Sequence, residues 1–513
     1  MILAALATQA MAQDVDHQTT PTVTTGANGD TIGSGETSTD KTDLPPGVIW
    51  QPTLESPGLV TGFTLGELYT DNLRLASDNQ SKENGWITVV KPFVKAAYSG
   101  RRFSGVLDAA LTGYLYANHG NDNQLAQHLD AHGTLAMVQE HLFLDGAATY
   151  RRAIINHERP AGSGTFFLSN NRANVGTAML SPYWVQGLGR VGTMTLRYTR
   201  GWVTYNRNGI PGVSDNPLAG VPDIRTYGLD FSIVSPMDQT WGWGLSYAGN
   251  RIKSDKGLSL HFAKAKAKLS RELGMHGRVL VEGGKENHYY PDGHVDTLGA
   301  TFWAVGYTWN NPRNTFRLTG GHRFYGRSGE FYWRHEASRL TTHVEYMERP
   351  TDLNQQLMES YTGVGLYFTD IGVGIPSLLE HRVYLMKRAS ASADYLMPNG
   401  RLSLTLFNEV RDYFLRDTGH ETISDAHLSW RVDLGPLTAL TPTLGWRRYR
   451  FADSQINYTR YVQLSAVHEF SPVNSISLRL RHESRSTNAA AAYGLGYKAN
   501  VIFLSWTHLF QGG

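Results

Sequence analysis

From Leu59 to Phe510 apolar and polar side chains trade places at nearly every step. In "NSISLRLRHE", starting at Asn474, Ile476, Leu478 and Leu480 alternate with Ser475, Ser477, Arg479 and Arg481. In "DAHLSWRVDL", Ala426, Leu428, Trp430, Val432 and Leu434 share one face while Asp425, His427, Ser429, Arg431 and Asp433 share the other. A period of two is the signature of a strand, whose successive side chains point to opposite sides. "LFLDGAATYRR" from Leu142, "TMTLRYTR" from Thr193 and "RLSLTLFNEVRDY" from Arg401 repeat it, and clusters of Gly, Asn, Asp, Ser and Pro separate the runs. The runs cover the roughly 9 to 11 residues a tilted strand needs to cross a bilayer, whereas globular strands average about 5 to 6.

In a soluble sandwich the apolar face of such a strand packs on a core; in an outer-membrane barrel it meets lipid, and the polar face lines a lumen. About twenty strands in succession without a helical interruption favour the barrel. Trp86, Tyr98, Trp184, Trp202, Trp241 and Trp309 fall near run ends, where interfacial girdles would place them. No stretch of 18 consecutive apolar residues occurs, so a membrane span has to be a closed barrel.

The connections fall into two kinds. Longer ones lie near 75–85, 118–124, 155–169, 206–222, 253–256, 289–296, 327–329, 351–380, 415–420, 452–456 and 487–490. Tighter turns sit between them: "SGRR" at 99, "QEH" at 139, "GLGR" at 187, "PMDQT" at 236, "GMHG" at 274, "NPRN" at 311, one near Ser338, "PNG" at 398, "GP" at 435 and "SPVN" at 471. Alternating long loops and short turns predict a single large transmembrane antiparallel β-barrel, all-β, of about 22 strands within a range of 18–24.

Three segments follow. Residues 1–12, "MILAALATQAMA", carry a short apolar run and the A-x-A-type site Ala10-Met11-Ala12, and read as a partial signal peptide. Residues 13–58, rich in Thr, Gly, Asp, Ser and Pro, read as a disordered periplasmic N-terminal segment. Residues 59–513 read as the barrel. Composition agrees: 53 Gly, 26 Tyr, 12 Trp, and charged residues at 18% against roughly 25% in typical soluble domains. The net charge of +2 implies no nucleic-acid partner. With no cysteine, disulfides and thiolate metal sites are excluded.

"LGELYTDNLRLA" from Leu65, "GWITVVKPFVKAAYSGRRFSGVLDAALTGYLYA" from Gly85 and "HLFLDGAATYRR" from His141 resemble the opening strands of the β-barrel porin family that accompanies exosortase/PEP-CTERM and exopolysaccharide gene clusters. The Thr70-Asp71-Asn72-Leu73 entry and the "SGRR" turn carry most of the likeness, and "RLSLTLFNEVRDYF", "LGWRRYRF" and "LRLRHESRS" resemble that family's C-terminal half. The resemblance implies an outer-membrane channel associated with polysaccharide secretion.

Candidate chemistry lies mainly on the polar stripe. Arg197, Arg317, Arg411, Arg431, Arg447, Arg479 and Arg481 stand against Asp145, Asp394, Glu409, Asp425 and Asp433, and are expected to line the lumen. Guanidinium forks bind carboxylates and phosphates, and aromatics stack on sugar faces, so an acidic polysaccharide could slide along such a wall. Equally, opposite charges could pair across strands and keep the lumen hydrated. His128, Asp130 and His132 share a strand face with donors suited to a divalent ion, or simply extend the polar stripe. "GLGRVG" from Gly187 matches a dinucleotide fingerprint, but a strand and not a helix follows it, so it reads as a turn. No G-x-S-x-G occurs and no spacing singles out a catalytic triad. No catalytic residue, cofactor or metal is assigned.

The sequence therefore leads to an export channel in the bacterial outer membrane. Its partners would be outer-membrane lipid, a polysaccharide substrate, and periplasmic or inner-membrane synthesis and export proteins that supply the drive. A general or sugar-uptake porin shares every feature, and a barrel enzyme turning over lipid, peptide or glycan is the third reading. A gated active transporter would need a plug of about 100 residues or more before the first strand, which the 46 residues of 13–58 do not supply. A bore of this size needs an occupant. The segment from Thr351, "TDLNQQLMESYTGVGLYFTDIGVGIPSLLE", is expected to fold inward as a constriction.

Overall fold

A computed structural model describes residues 24–25, 31–32, 53–54, 56–169, 171–206, 222–236, 239–255, 259–289, 297–352, 355–356, 383–414, 419–488 and 495–510. Within the segment expected to be disordered, Thr24–Thr25 pairs with Thr31–Ile32; the signal and most of that segment lie outside the described residues.

The remaining strands form one closed antiparallel barrel of 22. In chain order they are β1 (Gly58–Thr70), β2 (Gly85–Ser99), β3 (Phe103–Tyr116), β4 (Gln124–Val138), β5 (Leu142–Ile154), β6 (Arg172–Gly187) and β7 (Thr193–Tyr205). Next come β8 (Ile224–Val234), β9 (Trp241–Ser254), β10 (Ser259–Leu273), β11 (Gly277–Tyr289), β12 (Thr297–Asn311), β13 (Asn314–Arg323), β14 (Gly326–Glu336) and β15 (Leu340–Thr351). The circuit ends with β16 (Tyr384–Met397), β17 (Gly400–Tyr413), β18 (His420–Gly435), β19 (Thr438–Arg450), β20 (Ile456–Ser471), β21 (Asn474–Thr487) and β22 (Tyr497–Phe510). Every strand pairs with its neighbours in sequence, and β22 returns to β1.

Alternation sorts the side chains. On β21, Ile476, Leu478 and Leu480 are exposed on the outside, while Glu483 and Arg485 are buried within. On β22, Ile502, Leu504 and Phe510 face out; His508 joins them in an aromatic cluster with Phe63, Trp506 and Phe510, its Nδ1 2.9 Å from Asn474 Oδ1. Trp86, Tyr98, Trp184 and Trp241 are exposed near strand ends, as membrane girdles require.

One connection corrects the reading of the sequence. Residues 327–329, expected to form a long loop from their Gly and Ser content, lie inside β14. The actual connection is the pair Phe324-Tyr325, with Arg323 opposite Gly326. Gly326 takes φ +113°, so glycine does the turning just after the aromatic pair. Phe324 packs on His288 and on Phe414, with ring centroids 5.0 and 5.7 Å away, so contacts with β11 and with the end of β17, not turn residues of its own, hold this hairpin.

The seam between β1 and β22 is clasped where the Thr-Asp-Asn-Leu segment leaves β1. The Asp71 carboxylate accepts from Asn500 N at 2.7 Å and Nδ2 at 2.6 Å. Asn72, fully buried, donates Nδ2 to Ala76 O at 2.7 Å and Lys498 O at 2.9 Å, and its Oδ1 accepts from Ala76 N at 2.7 Å. Lys498 Nζ also lies 2.8 Å from Asp78. Hydrogen bonds from Lys498 and Lys82 hold the Asp78 carboxyl below the usual carboxylate range.

Asn72→Ala is expected to strand buried backbone groups on both sides of the seam and to destabilise the barrel by about 1–3 kcal/mol. Unboiled protein on a gel should lose its compact migration at a lower temperature than wild type.

Candidate functional site

The inner wall is built from pairs. Arg197 on β7 donates Nη1 to Asp145 on β5 at 2.6 Å, and its guanidinium lies 4.1 Å from the ring of Tyr183, the residue opposite it on β6. Arg447 donates Nε and Nη2 to Asp425 Oδ2 at 3.1 and 3.0 Å across β19 and β18. Arg431 reaches Asp433 on its own strand at 2.9 Å. Arg481 Nη2 lies 3.1 Å from Glu483 and its guanidinium lies 4.0 Å from the ring of Tyr461. That ring rests on Gly445, where a Cβ would come within 1.9 Å of it, so the flat stack of Gly445, Tyr461 and Arg481 depends on the glycine.

The deepest cluster centres on Glu409 and Arg411, both fully buried on β17. Glu409 accepts from Arg388 Nε and Nη2 at 2.8 and 2.5 Å and from Arg411 Nε at 2.6 Å. Arg411 Nη1 donates to Tyr449 Oη at 2.9 Å, and Tyr449 donates on to Glu421 at 2.9 Å. Two guanidinium groups thus share one carboxylate, and a phenol links them to a second.

Arg317 and Arg479 also alternate onto the inner face, where Arg317 stands opposite Tyr332 and Arg479 opposite Ser465. Asp394 accepts from Ser403 at 2.5 Å. His128, Asp130 and His132 share the inner face of β4, with Asp108 opposite Asp130. Among the described residues no group of three His, Asp or Glu is arranged to hold a metal ion.

Across this wall runs the segment between β5 and β6. On one side Tyr116 Oη donates to Phe166 O at 2.5 Å, Tyr114 Oη lies 2.7 Å from Thr165 Oγ1, and Phe167 is buried against Leu73, Ile87 and Tyr497. On the other, Arg485 of β21 donates to the carbonyls of His157 at 3.0 Å, Glu158 at 2.5 Å and Arg159 at 2.5 Å. The His157 ring stacks on Tyr449, centroids 5.4 Å apart, which ties the segment to the Glu409 cluster.

The segment is braced from within. Asn171 donates to the carbonyls of Asn156, Arg159 and Pro160, and Arg172 to those of Ala161 and Gly162. Gly162 has φ +65° and a Cβ there would come within 2.3 Å of Phe167, so no other residue fits. A chain bonded to β3 on one side and β21 on the other lies over the mouth on both sides of the seam.

The inward segment expected at 351–380 falls mostly outside the described residues. Its described ends are buried: Asp352 and Gln356 are inaccessible, Gln356 Nε2 lies 3.2 Å from Met386 Sδ, and Val383 packs on the inner cluster that contains Ile252 and Phe262.

Several inner charges escaped the reading of the sequence. Lys264, Lys266 and Lys268 alternate in "AKAKAK"; Lys266 lies 3.4 Å from Glu282 and Lys264 4.5 Å from the Phe302 ring. The period was there to find. The fully buried Glu286 accepts from Arg323 Nη2 at 2.6 Å, a pairing across one intervening strand that no local spacing announces. Beside it, burial pushes the Tyr325 phenol up to about 12.

No protein-family model matches the chain, and no curated protein matches it either. Among solved structures it is similar to the FrpB iron transporter from Neisseria meningitidis, F5-1 variant, at 10% identity and TM-score 0.47, over 88% of this chain and 82% of that one. It is also similar to the siderophore receptor PirA from Pseudomonas aeruginosa, at 10% identity and TM-score 0.45, over 90% and 81%. A mutant of the ferric enterobactin receptor PfeA from Pseudomonas aeruginosa, in complex with enterobactin, is 12% identical with TM-score 0.48, over 90% and 82%. The chain's own surface decides its medium: a closed barrel wrapped in exposed Leu, Val, Trp and Phe is an outer-membrane β-barrel.

Two substitutions probe this interior. Glu409→Gln leaves Arg388 and Arg411 buried without their counter-charge and is expected to destabilise by about 3–5 kcal/mol, read as a lowered midpoint of urea unfolding in detergent. Arg485→Ala removes the donors that hold the 155–171 segment and is expected to raise single-channel conductance in planar bilayers while the barrel still folds.

Proposed function

We propose that this barrel is a passive outer-membrane channel that exports an acidic exopolysaccharide. One observation carries the reading: cations on the inner wall lie flat against aromatic rings and are charge-paired at the same time, as in Arg197 with Tyr183 and Asp145, and Arg481 with Tyr461 and Glu483. Aromatic planes offer faces to sugar rings. Guanidinium groups already satisfied by carboxylates bind a passing anion only weakly, and weak, repeated contact suits translocation better than tight capture. The resemblance of the opening and closing strands to the exopolysaccharide-associated porin family supports the same cargo. Force on the polymer would come from synthesis and export proteins of the inner membrane and periplasm. No residue is assigned a catalytic role.

A second reading, a porin for small sugars, is favoured by the braced 155–171 segment, because a chain across the mouth narrows the bore. Secretion in a deletion strain and liposome swelling separate the two. Export predicts that the strain retains its polymer inside the envelope and recovers secretion with the wild-type gene. Normal secretion in the deletion strain, with swelling of liposomes in small sugars, would establish the porin instead.

A further inference from the structure

Near the long-loop ends of β7, β8 and β9, six outward residues form two rows across three strands. The register sets Arg200 opposite Tyr227 and Tyr227 opposite Arg251; one step further along, Trp202 stands opposite Arg225 and Arg225 opposite Lys253. Their chain neighbours Val203, Thr226 and Ile252 are buried on the inside, so these six point outward. The guanidinium of Arg200 lies 5.3 Å from the Trp202 ring and 5.1 Å from the Tyr227 ring, and Lys253 Nζ lies 5.6 Å from the Tyr227 ring.

Four cations therefore share one small patch. Among the described residues no carboxylate forms an ion pair with any of them, Arg200 Nε is buried without a hydrogen-bond partner, and Arg251 donates Nε to Ser259 Oγ at 3.4 Å. On the inner wall, by contrast, Arg197, Arg411 and Arg447 are matched with carboxylates. Like charges directly opposite on adjacent strands repel, so the Arg225 and Lys253 pair is unfavourable without an anion from outside the chain. The same combination recurs at this end of the barrel on β19 and β20, where Trp446 stands opposite Arg460 and Arg448 opposite Tyr458.

We propose that the β7–β9 patch is a binding site for the phosphorylated headgroup of a lipid in the leaflet at the long-loop end. Guanidinium forks match phosphate oxygens in pairs, and Trp202 and Tyr227 sit at the depth where aromatic rings meet headgroups. Acyl chains would run down the apolar surface below, past Leu196 and Leu229. The inference rests on the outer-membrane placement and is independent of the cargo in the lumen.

The test uses the full chain in detergent with three probes: bisphosphorylated lipid A, the same lipid dephosphorylated, and inorganic phosphate. Native mass spectrometry is expected to show the phosphorylated lipid retained and the dephosphorylated one absent, with millimolar phosphate unable to displace it. Arg225→Gln/Arg251→Gln is expected to weaken retention at least about tenfold. Arg225→Lys/Arg251→Lys, which keeps the charge and loses the forks, should fall between. Equal retention of the two lipids by wild type would overturn the proposal without recourse to any variant. So would displacement by free phosphate, or unchanged binding by a double Gln variant that keeps its compact migration.

Discussion

A strand in hydrocarbon cannot leave a backbone N–H or C=O unpaired, because no water is there to take it and each orphan costs several kcal/mol. Closure is therefore the constraint on which this molecule depends. It fails if a single seam fails, and the seam joins the two strands most distant in sequence, β1 and β22. Ten rungs from Thr61 to Thr70 carry it. At its long-loop end Asp71 and Asn72 continue the pairing with side chains after the backbone ladder has run out. The Thr-Asp-Asn-Leu segment is thus the catch of the ring.

Closing 22 strands creates a second problem, a bore wider than side chains alone can fill. The molecule answers it unevenly. Apart from Arg197, paired with Asp145 on β5, the inner residues of β6 to β9 are mostly small or neutral, such as Thr177, Ser181, Thr226 and Ser232, whereas β10 to β21 carry most of the paired charges. The 155–171 segment crosses to the charged side and is anchored there by Arg485 and Tyr449. Arg485 donates to its main-chain carbonyls, so that part of the attachment depends on the path of the segment, while the His157 ring adds a side-chain contact with Tyr449. Arg485 itself could not be buried without such acceptors.

The alternation of residues made the strands and their inward and outward faces legible, because apart from register shifts near Ala136, Asp433 and Glu469 the period of two runs through the barrel strands. What sequence concealed was contact at a distance. Phe324-Tyr325 turns a hairpin with no Asn or Pro, because His288 and Phe414 supply the contacts that turn residues usually make unnecessary. The Gly-Ser stretch next to it was the stronger local signal, and it marked a strand. The 155–171 segment was visible as a loop, but its inward course is written in Arg485, Tyr116 and Tyr114, none of them near it in the chain. The Lys264, Lys266 and Lys268 row was fully legible, since lysine alternating with alanine is the same pattern as arginine alternating with leucine.

The inner wall and the β7–β9 patch handle charge differently, and the reason lies in what each meets. Inside, a cation is held by the same protein, by a carboxylate as at Arg197, Arg411 and Arg447 or by main-chain carbonyls as at Arg485. On the outer face Lys387 does pair with Asp412, but in the β7–β9 patch a carboxylate placed beside each arginine would also face the membrane and add a second ion to desolvate. At headgroup depth the better counter-ion is one the membrane already holds. Aromatic rings beside Arg200 and Lys253 complete that logic, because a π face lowers the cost of an unpaired cation without adding a charge of its own.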